Sequence, residues 1–206
     1  MLLLLSCYAP ATPIPWDLLQ SQPLADLFVA GHLLPTGTGE DTDAERQRWL
    51  RSSLHDLAMV GLINIASRDD YPGAQAVTVH PVVADANRAR LRTTALPALP
   101  GIGEAAVRLV CAASTGLDHR RPADWSAWGR LVPHILALLE WLVAHVTAAT
   151  LADLVSVSNR AAIALVRGGN HAAAEKLADA AVTAGTRLGG DHPRSSYCPA
   201  CPRRCD

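Results

Sequence analysis

Apolar and polar positions along this chain change rhythm as the sequence is read. The opening "MLLLLSCYAPATPIPW" is a short leucine run followed by Pro10, Pro13 and Pro15, the pattern of a buried or amphipathic helix brought to a stop. Trp16 to Gln20 can begin a short helix, with Asp17 in the first turn where negative charge suits the helix dipole. "LADLFVAGHLL" reads as another short helix ending near Gly31. "PTGTGEDTD" is a turn cluster in which Asp41, Thr42 or Asp43 can cap the next helix. "AERQRWLRSSLHDLAMVG" then places Trp49, Leu50, Leu54, Leu57 and Ala58 at helical spacing, and Gly61 ends the run.

The period then shortens to two. "LINIAS" and "AQAVTVH" are β-rich and flank "RDDYPG", a strong turn signal, which together predict a β-hairpin. "HPVVADANRARLRT" predicts a helix with Pro81 at its start. Helices followed by a two-stranded hairpin outline a winged-helix-like module, and "LPALPGIG" reads as a break and domain boundary. Beyond it the rhythm is helical throughout. "EAAVRLVCAAS" is one helix, "PADWSAWGRL" a second and "VPHILALLEWLVAHV" a third, with Pro122 and Pro133 at helix starts. "TLADLVSVSNRAAIALVRGG" and "NHAAAEKLADAAVTAGTRLGG" predict a helical hairpin turning at Gly-Gly-Asn, with small residues where the helices approach.

Composition narrows the function more than the fold. Half of the 206 residues are hydrophobic but only 4% are aromatic, so Ala, Leu and Val must fill a helical core. A net charge of −1 gives no global pull toward nucleic acid or an anionic membrane. No stretch reaches the roughly 18 consecutive apolar residues of a membrane span. Lys176 is the only lysine and lies in "AAAEKLAD" without a glycine cradle, which excludes a phosphate-binding P-loop. A secretory signal needs a basic start, yet no Lys or Arg precedes Arg46. The expectation is that Met1 falls within a helix whose true start lies earlier, and that the protein works in the reducing cytoplasm. Cys7 and Cys111, in apolar helical surroundings, read as small hydrophobes.

With these elements placed, "GGNHAAAEKLADAAVTAGTRLGGDHP" resembles the second helix and linker of a tetratricopeptide repeat (TPR) of the kinesin-light-chain type. Gly169, Ala174, Leu177, Ala181, Leu188, Gly189, Asp191, His192 and Pro193 fall on that family's pattern, while His171 takes the usual aromatic position. "PADWSAWGRLVPHILALLEWL" looks like the helical pair preceding such repeats in actinobacterial signal-transducing NTPases of the NB-ARC (STAND) type. "LLLLSCYAPATPIPWDLL" with "VTVHPVVADANRARL" is similar to the winged-helix module of the same proteins. The resemblance covers most of Met1 to Pro193. It departs from the family in lacking the ATPase half and in continuing as "RSSYCPACPRRCD" where another repeat would come. Fewer than two recognisable repeats remain, against about three for a self-standing stack.

Candidate chemistry is sparse. "CPACPRRC" sets Cys198, Cys201 and Cys205 within reach of one zinc ion, with His192 as a fourth ligand. The second Cys-x-x-Cys half is missing, and an irregular tail or an adventitious disulfide is the plainer reading. Asp191 to Pro193 reads as a turn rather than an acid–base pair. His80, between strand and helix, is expected to satisfy a backbone group. His134 and His145 are expected to share one helix face as packing residues. "GHLLPTGTGE" lies after no strand and precedes no basic residue. Gly-x-Ser-x-Gly, His-Glu-x-x-His and dinucleotide glycine motifs are all absent. The basic segments Arg46 to Arg51 and Arg88 to Arg92 raise a DNA reading, but acidic neighbours favour solvated arginines.

The sequence therefore predicts a mainly α protein without a catalytic site, metal or cofactor. Its expected parts are a winged-helix-like module over 1–96, TPR-like α-hairpins over 97–193, and an irregular tail over 194–206. As the resemblance implies, it is a non-catalytic regulatory fragment of a signal-transducing NTPase. Its partners would be a protein or peptide on the helical repeat surface and the missing ATPase domain, with no nucleic acid and no membrane. A DNA-binding regulator and a small zinc-stabilised adaptor are the alternatives.

Overall fold

Alternating apolar residues draw two strands into the predicted hairpin, β2 (Ile63–Ala66) and β3 (Ala76–Val79), paired antiparallel with Ile63 opposite Val79 and Ile65 opposite Val77. The computed structural model that contains them describes residues 1–19, 24, 41–66, 75–93 and 99–188. A third strand, β1 (Ile14–Pro15), adds to the other edge of β3, giving the order β1-β3-β2. The sequence pattern did not reveal β1. Two residues, Ile14 and Pro15, carry no alternation, yet an edge strand tolerates a proline because one side of its backbone needs no partner.

Around the sheet the described residues form eight α-helices. The first two are single turns, α1 (Leu2–Leu5) and α2 (Trp16–Leu19), followed by the long α3 (Asp41–Met59) and by α4 (Pro81–Thr93). The remaining four are α5 (Leu99–Ser114), α6 (Trp125–Trp141), α7 (Ala148–Arg167) and α8 (His171–Gly185). Short 3-10 turns precede α6 (Pro122–Asp124) and follow α8 (Thr186–Leu188). The mainly helical class holds, and so do α3, α4 and the α7–α8 hairpin. The helix expected in "LADLFVAGHLL", the turns "PTGTG" and "RDDYPG", and the cysteine tail lie outside the described residues, Leu24 and Asp41 onward excepted.

Two expectations are corrected. The "LPALPGIG" segment is not a break over its whole length, because α5 begins at Leu99 and carries Pro100 in its first turn, where no amide partner is needed. Gly103 has a use there. A Cβ would come within 3.1 Å of Leu142 Cδ2 and 3.3 Å of Val146 Cγ1, so its absence lets α5 close on the turn after α6. The helices expected on either side of Pro133 are one helix, α6, with the proline inside it. Burial of Trp128, Leu131 and Val132 before the proline, and of Ile135, Leu138 and Leu139 after it, holds both halves on one core-facing stripe. The residue a turn earlier is Gly129, whose position is open, so only one hydrogen bond is lost.

The α7–α8 hairpin is closed by specific turn chemistry. Gly169 adopts φ +81°, its N–H donates to the Val166 carbonyl, and the Asn170 N–H donates to the Leu165 carbonyl, a Schellman arrangement. The Asn170 side chain then accepts from the Ala173 N–H and starts α8. At the other end of α7, Thr147 caps by accepting from the Thr150 N–H. Glu104 reaches over from α5 to accept from the Thr147 N–H at 3.0 Å and the Thr150 hydroxyl at 3.0 Å. A capping box is thereby split between two helices. By length and composition α7 could cross a membrane. In this fold 61% of its apolar window is buried, with α5, α6 and α8 against it.

One hydrophobic cluster runs through both halves. It takes in Leu5, Tyr8, Ile14, Leu18, Leu54 and Val77 beside the sheet and continues through Leu109, Trp128, Leu138, Leu154 and Leu177.

Candidate binding cleft

The segment from Ser6 to Pro15 is irregular, so its backbone groups need partners outside regular structure. Long side chains from two later helices, α4 and α6, supply them. From α4, Arg88 donates to the carbonyls of Ser6 and Tyr8, and Asn87 donates to the Ser6 hydroxyl at 3.0 Å. From α6, the Trp141 indole N–H donates to the Cys7 carbonyl at 2.9 Å. Tyr8 returns the contact by donating its hydroxyl to the Ala106 carbonyl of α5 at 3.0 Å. His134 is fully buried and bridges the same segment. Its Nδ1 lies 3.3 Å from the Ala9 N–H and must accept, so Nε2–H donates to the Pro13 carbonyl at 3.1 Å. The Tyr8 ring stands edge-on to the imidazole at 5.6 Å between centroids.

This arrangement holds His134 neutral. Burial lowers its pKa from 6.5 to about 4, against the Pro13 bond, which favours the charged form. Burial pushes Cys7 up to about 12 despite Arg88, and raises Tyr8 well above its ordinary value. Cys111 is pushed up to about 11 by burial and by Asp153, with Arg160 opposing. Neither thiol is held as a reactive thiolate. Nearby, Trp128 is buried with its indole N–H unpartnered among the described residues, and the Arg160 guanidinium lies 5.6 Å from its ring.

The same Trp141 also borders an open part of the surface. Its ring packs under Arg88, 5.5 Å from the guanidinium carbon, and remains half-buried. It lines an open cleft of about 320 Å³ between the C-terminal ends of α6 and α8. Leu139, Glu140, Trp141, Val143 and Ala144 form one wall; Ala180, Thr183, Ala184 and Arg187, one stripe at helical spacing, form the other. The volume is at the small end of ligand clefts, which run from about 300 to 1,000 Å³. Glu140 and Arg187 form no ion pair with any side chain among the described residues. An apolar slot with one fixed indole and one charge of each sign can receive a protruding side chain.

The residues singled out by sequence are scattered. Cys198, Cys201, Cys205, His192 and the Asp191–Pro193 turn lie outside the described residues, as does "GHLLPTGTGE". Among the described residues no group of three or more His, Cys, Asp or Glu could hold a metal ion. His80 is exposed and joins strand to helix through its backbone, donating to the Leu62 carbonyl and accepting from the Ala84 N–H. His145 does not share a helix face with His134, because α6 ends at Trp141 and His145 sits in the following turn. The two basic segments part company. Arg48 and Arg51 on α3 are exposed, as expected of solvated arginines, whereas Arg88 is half-buried and structural. No local pattern marks Arg88, since its partners are carbonyls far away in the chain. The cleft was likewise unreadable, because α6 and α8 meet only in the fold.

A scan of family models, a search of curated proteins and a search of solved structures each returned no match to this chain.

Proposed function

We propose that this chain is a non-catalytic protein-interaction and regulatory piece of a bacterial signal-transducing NTPase. On this reading a winged-helix-like unit, from α1 to α4, carries TPR-like hairpins that present a binding surface to a partner. The observation that carries the interaction reading is the open cleft beside the α7–α8 hairpin, with Trp141 held in place on its wall. Two further features support it. The sheet order β1-β3-β2, with the long α3 leading into the hairpin, is the connectivity expected of a winged helix. The Gly-Gly-Asn turn and the small residues Ala174 and Ala181, buried in α8, suit a repeat hairpin.

The DNA-reading alternative gains little from α3, whose exposed face alternates Arg48 and Arg51 with Glu45 and Asp56. Proximity labelling with the full chain as bait in its source cell tests the proposal. A protein bearing a P-loop ATPase in the labelled set supports it. Labelling dominated by DNA-binding proteins, together with duplex binding that weakens steeply with salt, contradicts it.

A further inference from the structure

We propose that the cleft between α6 and α8 takes a peptide segment of a protein partner, which inserts one leucine- to phenylalanine-sized side chain and sets a carboxylate against Arg187. This rests on the interaction reading above and specifies its ligand. The apolar part of the slot's lining is Leu139 and Val143 on one wall and Ala180 and Ala184 on the other, and the slot is too small for a dinucleotide. Trp141 is already ordered. Its N–H is spent on the Cys7 carbonyl and its ring is packed against Arg88, so a ligand touching it incurs little cost for fixing the ring. Thr183 is also committed, its hydroxyl donating to the Asp179 carbonyl at 2.9 Å.

What remains free to recognise charge is Arg187, exposed and without an ion pair among the described residues, whose planar fork fits a carboxylate. Glu140 on the facing wall carries the opposite sign. Together they match a segment with an acidic and a basic residue around an apolar one. They do not match a run of phosphates, which Glu140 would repel and which has nothing to fill the slot.

A random-peptide phage library panned against the full chain tests this. Arg187→Glu and Ala144→Trp are made alongside, both at exposed positions, with unchanged circular dichroism as the check on folding. Enriched peptides should share a large apolar residue beside an acidic one. Ala144→Trp should weaken their binding by about tenfold or more, and Arg187→Glu should shift the enriched charge from acidic to basic. Peptides that bind both variants as tightly as the parent overturn the cleft assignment but leave the interaction reading standing on another surface. A concentration-dependent dimer dissolved by Ala144→Trp gives the cleft to a second copy instead. Cross-links from the cleft to residues 189–206 of the free chain give it to the chain itself. Absence of any enrichment also overturns the assignment, and proximity labelling then judges the interaction reading separately.

Discussion

Arg88 ties two parts of the molecule through backbone carbonyls rather than through another side chain. Its guanidinium holds the Ser6 and Tyr8 carbonyls and lies on Trp141. Each charge-assisted bond is worth about 1.5–3 kcal/mol. Arg88→Ala should therefore lower stability in urea melts by about 3 kcal/mol. Arg88→Lys should recover only part, since one ammonium cannot reproduce the fork. His134 makes stability depend on pH. Its folded pKa of about 4 is below the unfolded 6.5, so between these values the unfolded chain binds more protons. The stabilisation is fully present above pH 6.5, falls as pH drops toward 4, and amounts to about 3 kcal/mol. Urea midpoints across that window should decline in the parent and flatten in His134→Gln. These roles were hidden in the sequence. "NRARLR" reads as a solvated basic run, and one histidine in "VPHILALL" is indistinguishable from a packing residue until its partners at Ala9 and Pro13 are known.

The secondary elements were far more legible. Alternation gave β2 and β3, the 3.6-residue rhythm gave α3, α7 and α8, and the Gly-Gly-Asn sequence gave the hairpin turn. What escaped was decided by packing. The short β1 depends on β3 for its existence, and α6 runs through Pro133 because its buried stripe continues on both sides. The turn between α7 and α8 offers the sharpest check on local chemistry. Gly169→Ala places a Cβ at φ +81° and should cost about 1–2 kcal/mol, and Asn170→Ala about 1 kcal/mol, by thermal melts. At the split capping box, burial raises the Glu104 pKa, but the bonds from Thr147 and Thr150 and the charge of Arg108 outweigh it, and the net shift is downward from 4.5. Its stabilisation is present above that value and lost as pH falls through the lowered one. Glu104→Gln should thus reduce the acid sensitivity that remains below pH 4.5.

At the scale of the whole molecule the sheet and the helical hairpins share one core, and the Ser6–Pro15 segment joins them with bonds from α4, α5 and α6. The same Trp141 that anchors this segment lines the cleft, so a ligand there presses on the residue that connects the two halves. Such a connection is what a regulatory reading needs, because binding on the hairpin can then alter the sheet side only through elements that move together. Thermal unfolding followed by tryptophan fluorescence and by far-ultraviolet circular dichroism should superimpose.

Native-state hydrogen exchange on the full chain and on Arg88→Ala tests this coupling most directly. The slowest amides of Ala76–Val79 and of the buried centre of α7, Leu154 to Leu165, should exchange with one common free energy in the parent. Both should fall by the same amount in Arg88→Ala. If only the strand falls while α7 keeps its protection, the two halves unfold independently, and the account of a single coupled platform is contradicted.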